Sequence, residues 1–171
     1  MKKLLIEKTL LKCSSFLGIE PPEILIDSFN KTEISAMFNP SSYCIVFNKF
    51  WVDSANPIEK FVTTCHEARH AYQYSQIKFP EISKEDLELI KRWKLEFENY
   101  FSPIEGLKFL NQEIEIDAIA YAHYMTLKYF GERTVIPESI KEKVYLRIQQ
   151  ITKLWRVKSP LFSITSLDKK R

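Results

Sequence analysis

A chain of 171 residues, 45% hydrophobic and 13% aromatic, has the size of one domain with a sizeable core. Its 25 basic and 22 acidic residues leave a net charge of only +3, with no concentrated basic patch to mark a nucleic-acid reader. Three glycines are too few for a glycine-rich phosphate loop or a turn-dense all-β fold, and no run of about 18 apolar residues is available to span a membrane.

The opening MKKLLIEKTLLKCSS imitates a signal peptide for six residues before Glu7, Lys8 and Lys12 interrupt the apolar region such a leader needs. Ile6, Leu10, Cys13 and Leu17 instead mark one face of an amphipathic helix over 2–17, with Gly18 placed to end it. EILID (23–27), after Pro21 and Pro22, suits a short strand. EISAMF (33–38) and YCIVFN (43–48) flank the turn-former NPSS and read as a β-hairpin. A helix is expected from about Pro57 to Ile77, with Asn56 or Ser54 near its cap and Pro57 in its first turn.

SKED (83–86) has capping-box form and opens a helix to about Phe101. Its stripe of Leu87, Ile90, Trp93, Phe97 and Tyr100/Phe101 reads as core or groove wall. Ser102-Pro103 ends it. A further helical stretch, divided near Gly106, reaches Phe130 and Gly131, and Pro137 opens a last helix to about Trp155. The tail DKKR reads as a frayed terminus. Cys13, Cys44 and Cys65 are odd in number and unpatterned, so no disulfide framework is expected and a cytoplasmic location follows. The pattern predicts one α+β domain over 1–171, mostly helical, with a small antiparallel sheet before the 57–77 helix.

Chemistry concentrates in TTCHEARHAYQ (63–73). Residues four apart share a helical face, so His66 and His70 can present two imidazoles to one ion. Glu67, about 100° round the helix, can reach a metal-activated water; this is the logic of the H-E-x-x-H motif. A catalytic zinc needs a third protein ligand and an open position. His123 is one candidate. The better one lies in QEIEIDAIAYAHYM, where Glu113 and Asp117 share a face and Glu115 points roughly opposite. The apolar neighbours of these carboxylates predict that they are buried, and buried carboxylates need partners. Glu113 then ligates and Asp117 braces a ligating histidine. His123 is expected as a hydrogen-bonded core histidine, Cys65 as core, and Arg69 and Gln73 as residues that bond to neighbouring loops, with contact to substrate as the alternative.

H-E-A-R-H followed by E-I-E-I-D-A-I-A resembles the small gluzincins, specifically the ImmA/IrrE-type metallopeptidases, whose second motif is similar to E-x-E-A-[DN]-x-F-A. The resemblance covers about 33–125, the expected catalytic core, and leaves 132–171 as a C-terminal helical extension. Ile116 departs from the usual small residue, and an extra helix separates the two motifs. The resemblance implies a zincin-like fold, one Zn²⁺ held by His66, His70 and Glu113, Asp117 behind the ligands, and Glu67 as general base. Tyr121 or Tyr124 becomes a candidate donor to the oxyanion, and YCIVFN a strand on which an extended substrate can pair. The expected activity is zinc-dependent hydrolysis of peptide bonds in a protein or peptide, with no nucleic-acid or membrane partner. The alternative is a non-hydrolytic zincin-like module that binds a partner. Glu67 is present, and a purely structural zinc site favours cysteines, so the enzyme is the expectation.

Overall fold

The computed structural model describes residues 2–29 and 34–156, so Glu33 of the expected hairpin and the DKKR tail lie outside the described residues. Helix α1 (Lys2–Leu17) buries Ile6, Leu10, Cys13 and Leu17 as its periodicity requires. It stops at Gly18, whose φ of 72° is the left-handed conformation that glycine adopts without a Cβ clash. Three strands follow: β1 (Glu23–Asp27), β2 (Ala36–Asn39) and β3 (Cys44–Asn48). Between β2 and β3, the Asn39 side chain accepts hydrogen bonds from the Ser41 and Ser42 amides at 3.0 and 3.3 Å, closing the expected turn.

The sheet order is β1-β3-β2, with β2 antiparallel and β1 parallel to β3. The sheet is therefore mixed, not wholly antiparallel as expected. The reason is visible in β3: Cys44, Ile45, Phe47 and Asn48 are all buried, as suits a central strand covered on both faces. An unbroken apolar run of this kind calls for a neighbour on each side. It also means that β3 has no free edge for a substrate. Among the described strands β1 and β2 are the edges.

A six-residue helix α2 (Lys49–Ser54), too short to leave a periodic signal, is capped by Asn48, which accepts from the Phe50 amide. Helix α3 (Pro57–Lys78) opens with a reciprocal box: Asn56 Oδ1 accepts from the Glu59 amide at 2.9 Å, and Glu59 Oε2 accepts from the Asn56 amide at 2.8 Å. Helix α4 (Leu87–Glu98) starts later than SKED suggested. Asp86 caps it by accepting from the amides of Glu88 and Leu89, while Ser83 only receives the Glu85 amide. A short α5 (Leu107–Leu110) precedes α6 (Glu113–Phe130), which ends at Gly131, and α7 (Lys141–Arg156) closes the described chain.

Helix α3 is the centre of the molecule, packed between α1 and α6, with α7 against the far side of α6 and α4 alongside. Trp93, Phe47, Ile114 and Met125 sit in one continuous core. No helix of the described residues is long and apolar enough to cross a membrane. The α+β, helix-rich expectation holds at this level.

Candidate metal site

At about 100° per residue, the face of α3 turned toward α6 presents Arg69, Gln73, His66 and His70 in that angular order, with Glu67 further round. On α6 the contact line runs through Ile114, Ala118 and Tyr121, and the side-chain amide of Gln73 donates to the Ile114 carbonyl. Ala118, on that line, is fully buried. Glu115 and Asp117 flank that line on opposite sides. Glu115 meets the histidines, and Asp117 meets Arg69 and Gln73.

His66 Nε2 and His70 Nε2 are 3.0 Å apart. Glu115 Oε2 lies 3.3 Å from His66 Nε2, and Glu115 Oε1 lies 3.4 Å from His70 Nε2. Ligand atoms about 2.0–2.1 Å from an ion at tetrahedral angles are about 3.3–3.4 Å from one another. Each imidazole stands at that spacing from its nearer Glu115 oxygen, the two imidazoles are somewhat closer, and one ligand atom from each residue lies within 4.8 Å of the others. Glu115 Oε2 is buried yet lacks a well-formed hydrogen bond. Such an orphaned oxygen beside two imidazole nitrogens fits a cation that satisfies all three. His66, His70 and Glu115 can hold a metal ion.

The third member of this group is thus Glu115 and not Glu113. Glu113 is the first residue of α6, with its side chain 36% exposed and its nearest described cation, Arg92, at 3.9 Å. It belongs to a surface groove between α4 and α7. The i,i+4 pairing of Glu113 with Asp117 is real helical geometry, but the shared face turns away from the histidines.

Burial opposes a charge on His66. The contact with Glu115 and its charge, helped by Glu67 and Asp117, outweigh this and raise the pKa of His66. Glu115 moves oppositely. Burial pushes its carboxyl up, but the charge of His70, the contact with His66 and a hydrogen bond from Tyr100 bring it below the usual range. Glu67 is buried and lies at the rim of the same cavity. Burial raises its carboxyl pKa against the opposing charges of His66 and His70 and a backbone hydrogen bond from Phe38. A carboxylate lifted toward neutrality is a better general base.

Asp117, expected to accept a bond from a ligating histidine, touches neither and is bonded to Arg69, Gln73 and Arg147. His70 Nδ1 is 2.9 Å from Gln73 Oε1, and Gln73 Nε2 donates to Asp117 Oδ2 at 2.7 Å. Asp117 also accepts from Arg69 Nε at 2.7 Å and Arg147 Nε at 2.6 Å. Both guanidiniums reach Glu85, at 2.8 and 2.7 Å, and Tyr72 donates to the same carboxylate. Two cations and two anions make a buried, charge-balanced quartet joining α3, α6, α7 and the turn before α4. Arg69 and Gln73 are fully buried inside this lattice and bond chiefly to helix α6, with Arg69 alone reaching a neighbouring turn at Glu85.

Neither tyrosine chosen from α6 reaches the cavity. Tyr121 is fully buried beside Phe16 and Cys13, and Tyr124 lies near Lys128. The tyrosine that does line the cavity is Tyr100, whose hydroxyl donates to Glu115 Oε1 at 2.9 Å. It comes from the segment after α4, which the sequence marked only as core or groove wall. His123 bonds Thr134 Oγ1 at 2.8 Å and packs on Tyr145, as a core histidine would. Cys65 is fully buried in the core, with its sulfur 3.4 Å from that of Cys13.

The trio opens onto a cavity of about 350 Å³. One wall is β2 and its approach, from Ile34 to Phe38. The facing wall, Phe97, Tyr100, Pro103 and Phe109, comes from the segment that separates the two motifs. Gln112 anchors that segment, exchanging hydrogen bonds with the backbone of Phe101 at 2.9 and 3.0 Å. Glu96 fixes the start of α6 by accepting from the Glu113 and Ile114 amides, both at 2.9 Å. Compared with known proteins, the chain matches no family model, no curated protein and no solved structure.

Proposed function

We propose that this protein is a zincin-like metallopeptidase that hydrolyses peptide bonds in an extended protein segment, with His66, His70 and Glu115 holding one Zn²⁺ and Glu67 as general base. The observation that carries the reading is the convergence of two imidazoles, an orphaned carboxylate oxygen and a separate buried glutamate on one cavity. A zinc ion held there supplies Lewis acidity, lowering the pKa of water and polarising the scissile carbonyl.

The protein's own residues do the rest. Glu67, which is not among the three ligand candidates, takes a proton from the attacking water and passes it to the leaving amine. Tyr100 orients Glu115 through its hydroxyl. Substrate pairing belongs to β2, the sheet edge that lines the cavity, in place of the central β3. The apolar walls from Met37, Phe97, Phe109 and Ile114 favour a large apolar side chain beside the cleaved bond.

The test compares proteomes of cells producing the wild type or Glu67→Gln and looks for truncated proteins. The amide has no basic lone pair to take the proton, so the variant is expected to keep fold and zinc while losing nearly all cleavage. Identical cleavage profiles would overturn the mechanism.

A further inference from the structure

The side-chain amide of Gln73 has a single orientation open to it. Its Nε2 lies 2.7 Å from Asp117 Oδ2 and 2.9 Å from the Ile114 carbonyl oxygen, and both of these can only accept. Its Oε1 therefore faces His70 Nδ1, at 2.9 Å. An amide oxygen cannot donate, so Nδ1 must carry the hydrogen, and the lone pair of His70 sits on Nε2, the atom turned toward His66 and Glu115. Asp117 is fixed in turn. Arg69 grips it from the same helix as His70, and Arg147 grips it from α7 at 2.6 Å. The second arm of Arg147 is held on Glu85.

We infer that the chain Arg147–Asp117–Gln73 makes α7 a working part of the metal site, with Gln73 and Arg147 as positioning residues that hold His70 in its Nδ1–H tautomer and keep Nε2 free for the ion. The inference rests on the metal reading above and extends it to a helix that the motif resemblance leaves out. It replaces the direct carboxylate–histidine bond expected from the sequence with a relay through an amide. The relay sets the tautomer as a direct carboxylate bond would, and it also fixes the orientation of the amide. A carboxylate accepts at either oxygen, whereas the amide must turn its oxygen to His70 because its nitrogen already serves two acceptors. Preorganising a ligand in this way spares the ion the cost of selecting tautomer and ring orientation.

The decisive experiment begins without metal. Side-chain ¹⁵N NMR of the metal-free wild type, at a pH above histidine titration, is expected to show His70 protonated at Nδ1 and bare at Nε2. A predominant Nε2–H form overturns the inference. Gln73→Leu is then expected to move the ring toward Nε2–H. It should also weaken zinc binding by about 10–100-fold in competition with a chromophoric chelator, while unfolding stays cooperative. Arg147→Lys keeps the charge but loses the fork that spans two carboxylates, so affinity falls in the same direction by a smaller factor. Wild-type affinity in Gln73→Leu overturns the relay, and wild-type affinity in Arg147→Lys overturns the part given to α7. Because the tautomer is read without metal, it decides this inference even where the wild type takes up no zinc, an outcome that counts against the metal reading instead.

Discussion

Replacing Arg147 by methionine removes one of two cations from a buried quartet while nearly preserving side-chain volume. The wild-type side chain is 8% exposed, and its partners Asp117 and Glu85 are each 1% exposed. Two short bonds, 2.6 and 2.7 Å, disappear, and two buried carboxylates are left facing the single guanidinium of Arg69. Removing one partner of a buried pair costs about 3–5 kcal/mol, because the charge left behind can neither reach water nor find a replacement. Against a total stability of about 5–15 kcal/mol the variant still folds, with its midpoint lowered by roughly 6–20 °C.

The pH dependence sharpens the test. Burial pushes the Asp117 carboxyl up, but Arg147 and then Arg69 pull it well below the ordinary carboxylate range. A depressed folded-state pKa contributes stability that is fully present above the unfolded value of about 3.9 and is lost as pH falls through the folded value. In Arg147→Met that depression shrinks, so Asp117 takes up a proton earlier and relieves its own unpaired charge. Urea unfolding of both metal-free proteins should show the full deficit near neutrality and a narrower one at about pH 3. A deficit below about 1 kcal/mol near neutrality, or one that widens with acid, would refute the reasoning.

Tyr100→Phe deletes the hydroxyl bonded to Glu115 Oε1 and should weaken zinc binding toward the lower end of the 10–100-fold range, since Tyr100 is half exposed. Titration against a chelator reads this directly, and unchanged affinity would reduce Tyr100 to a cavity wall. Asn56→Ala breaks the box that opens α3 and should cost about 1 kcal/mol in chemical denaturation without altering metal uptake. A loss of metal at full stability would contradict the separation of cap and site.

The parts of this molecule legible in the sequence are those governed by local rules. Helix α1 carries its burial in its spacing, Gly18 and Gly131 end helices where left-handed residues are needed, and Asn56 with Pro57 announces α3. His66, Glu67 and His70 come together because one helix carries all three. The third ligand candidate was misplaced for a physical reason. Helix α6 is buried nearly all round, so its sequence shows no polar face to say which side meets α3. The packing of α6 on α3 settles that, and it brings up Glu115 while turning Glu113 outward.

Tyr100, Glu85 and Arg147 were illegible because they reach the site from segments distant in the chain. Nothing in the residues around Arg147 marks it as more than one basic position on an amphipathic helix. The parallel pairing of β1 with β3 is likewise a long-range outcome. Only the continuous apolar run of β3 hinted that this strand was covered on both sides.

Metal analysis of purified protein produced with adequate zinc, run in parallel on the wild type, Glu115→Gln and Glu113→Gln, tests the central claim most directly. The account predicts about one zinc per wild-type chain. It predicts the same content in Glu113→Gln, whose side chain points to Arg92 and solvent, and a severe loss in Glu115→Gln, whose oxygens face both histidines. A wild type without zinc would contradict the account, as would a Glu115→Gln protein that keeps its metal while Glu113→Gln loses it.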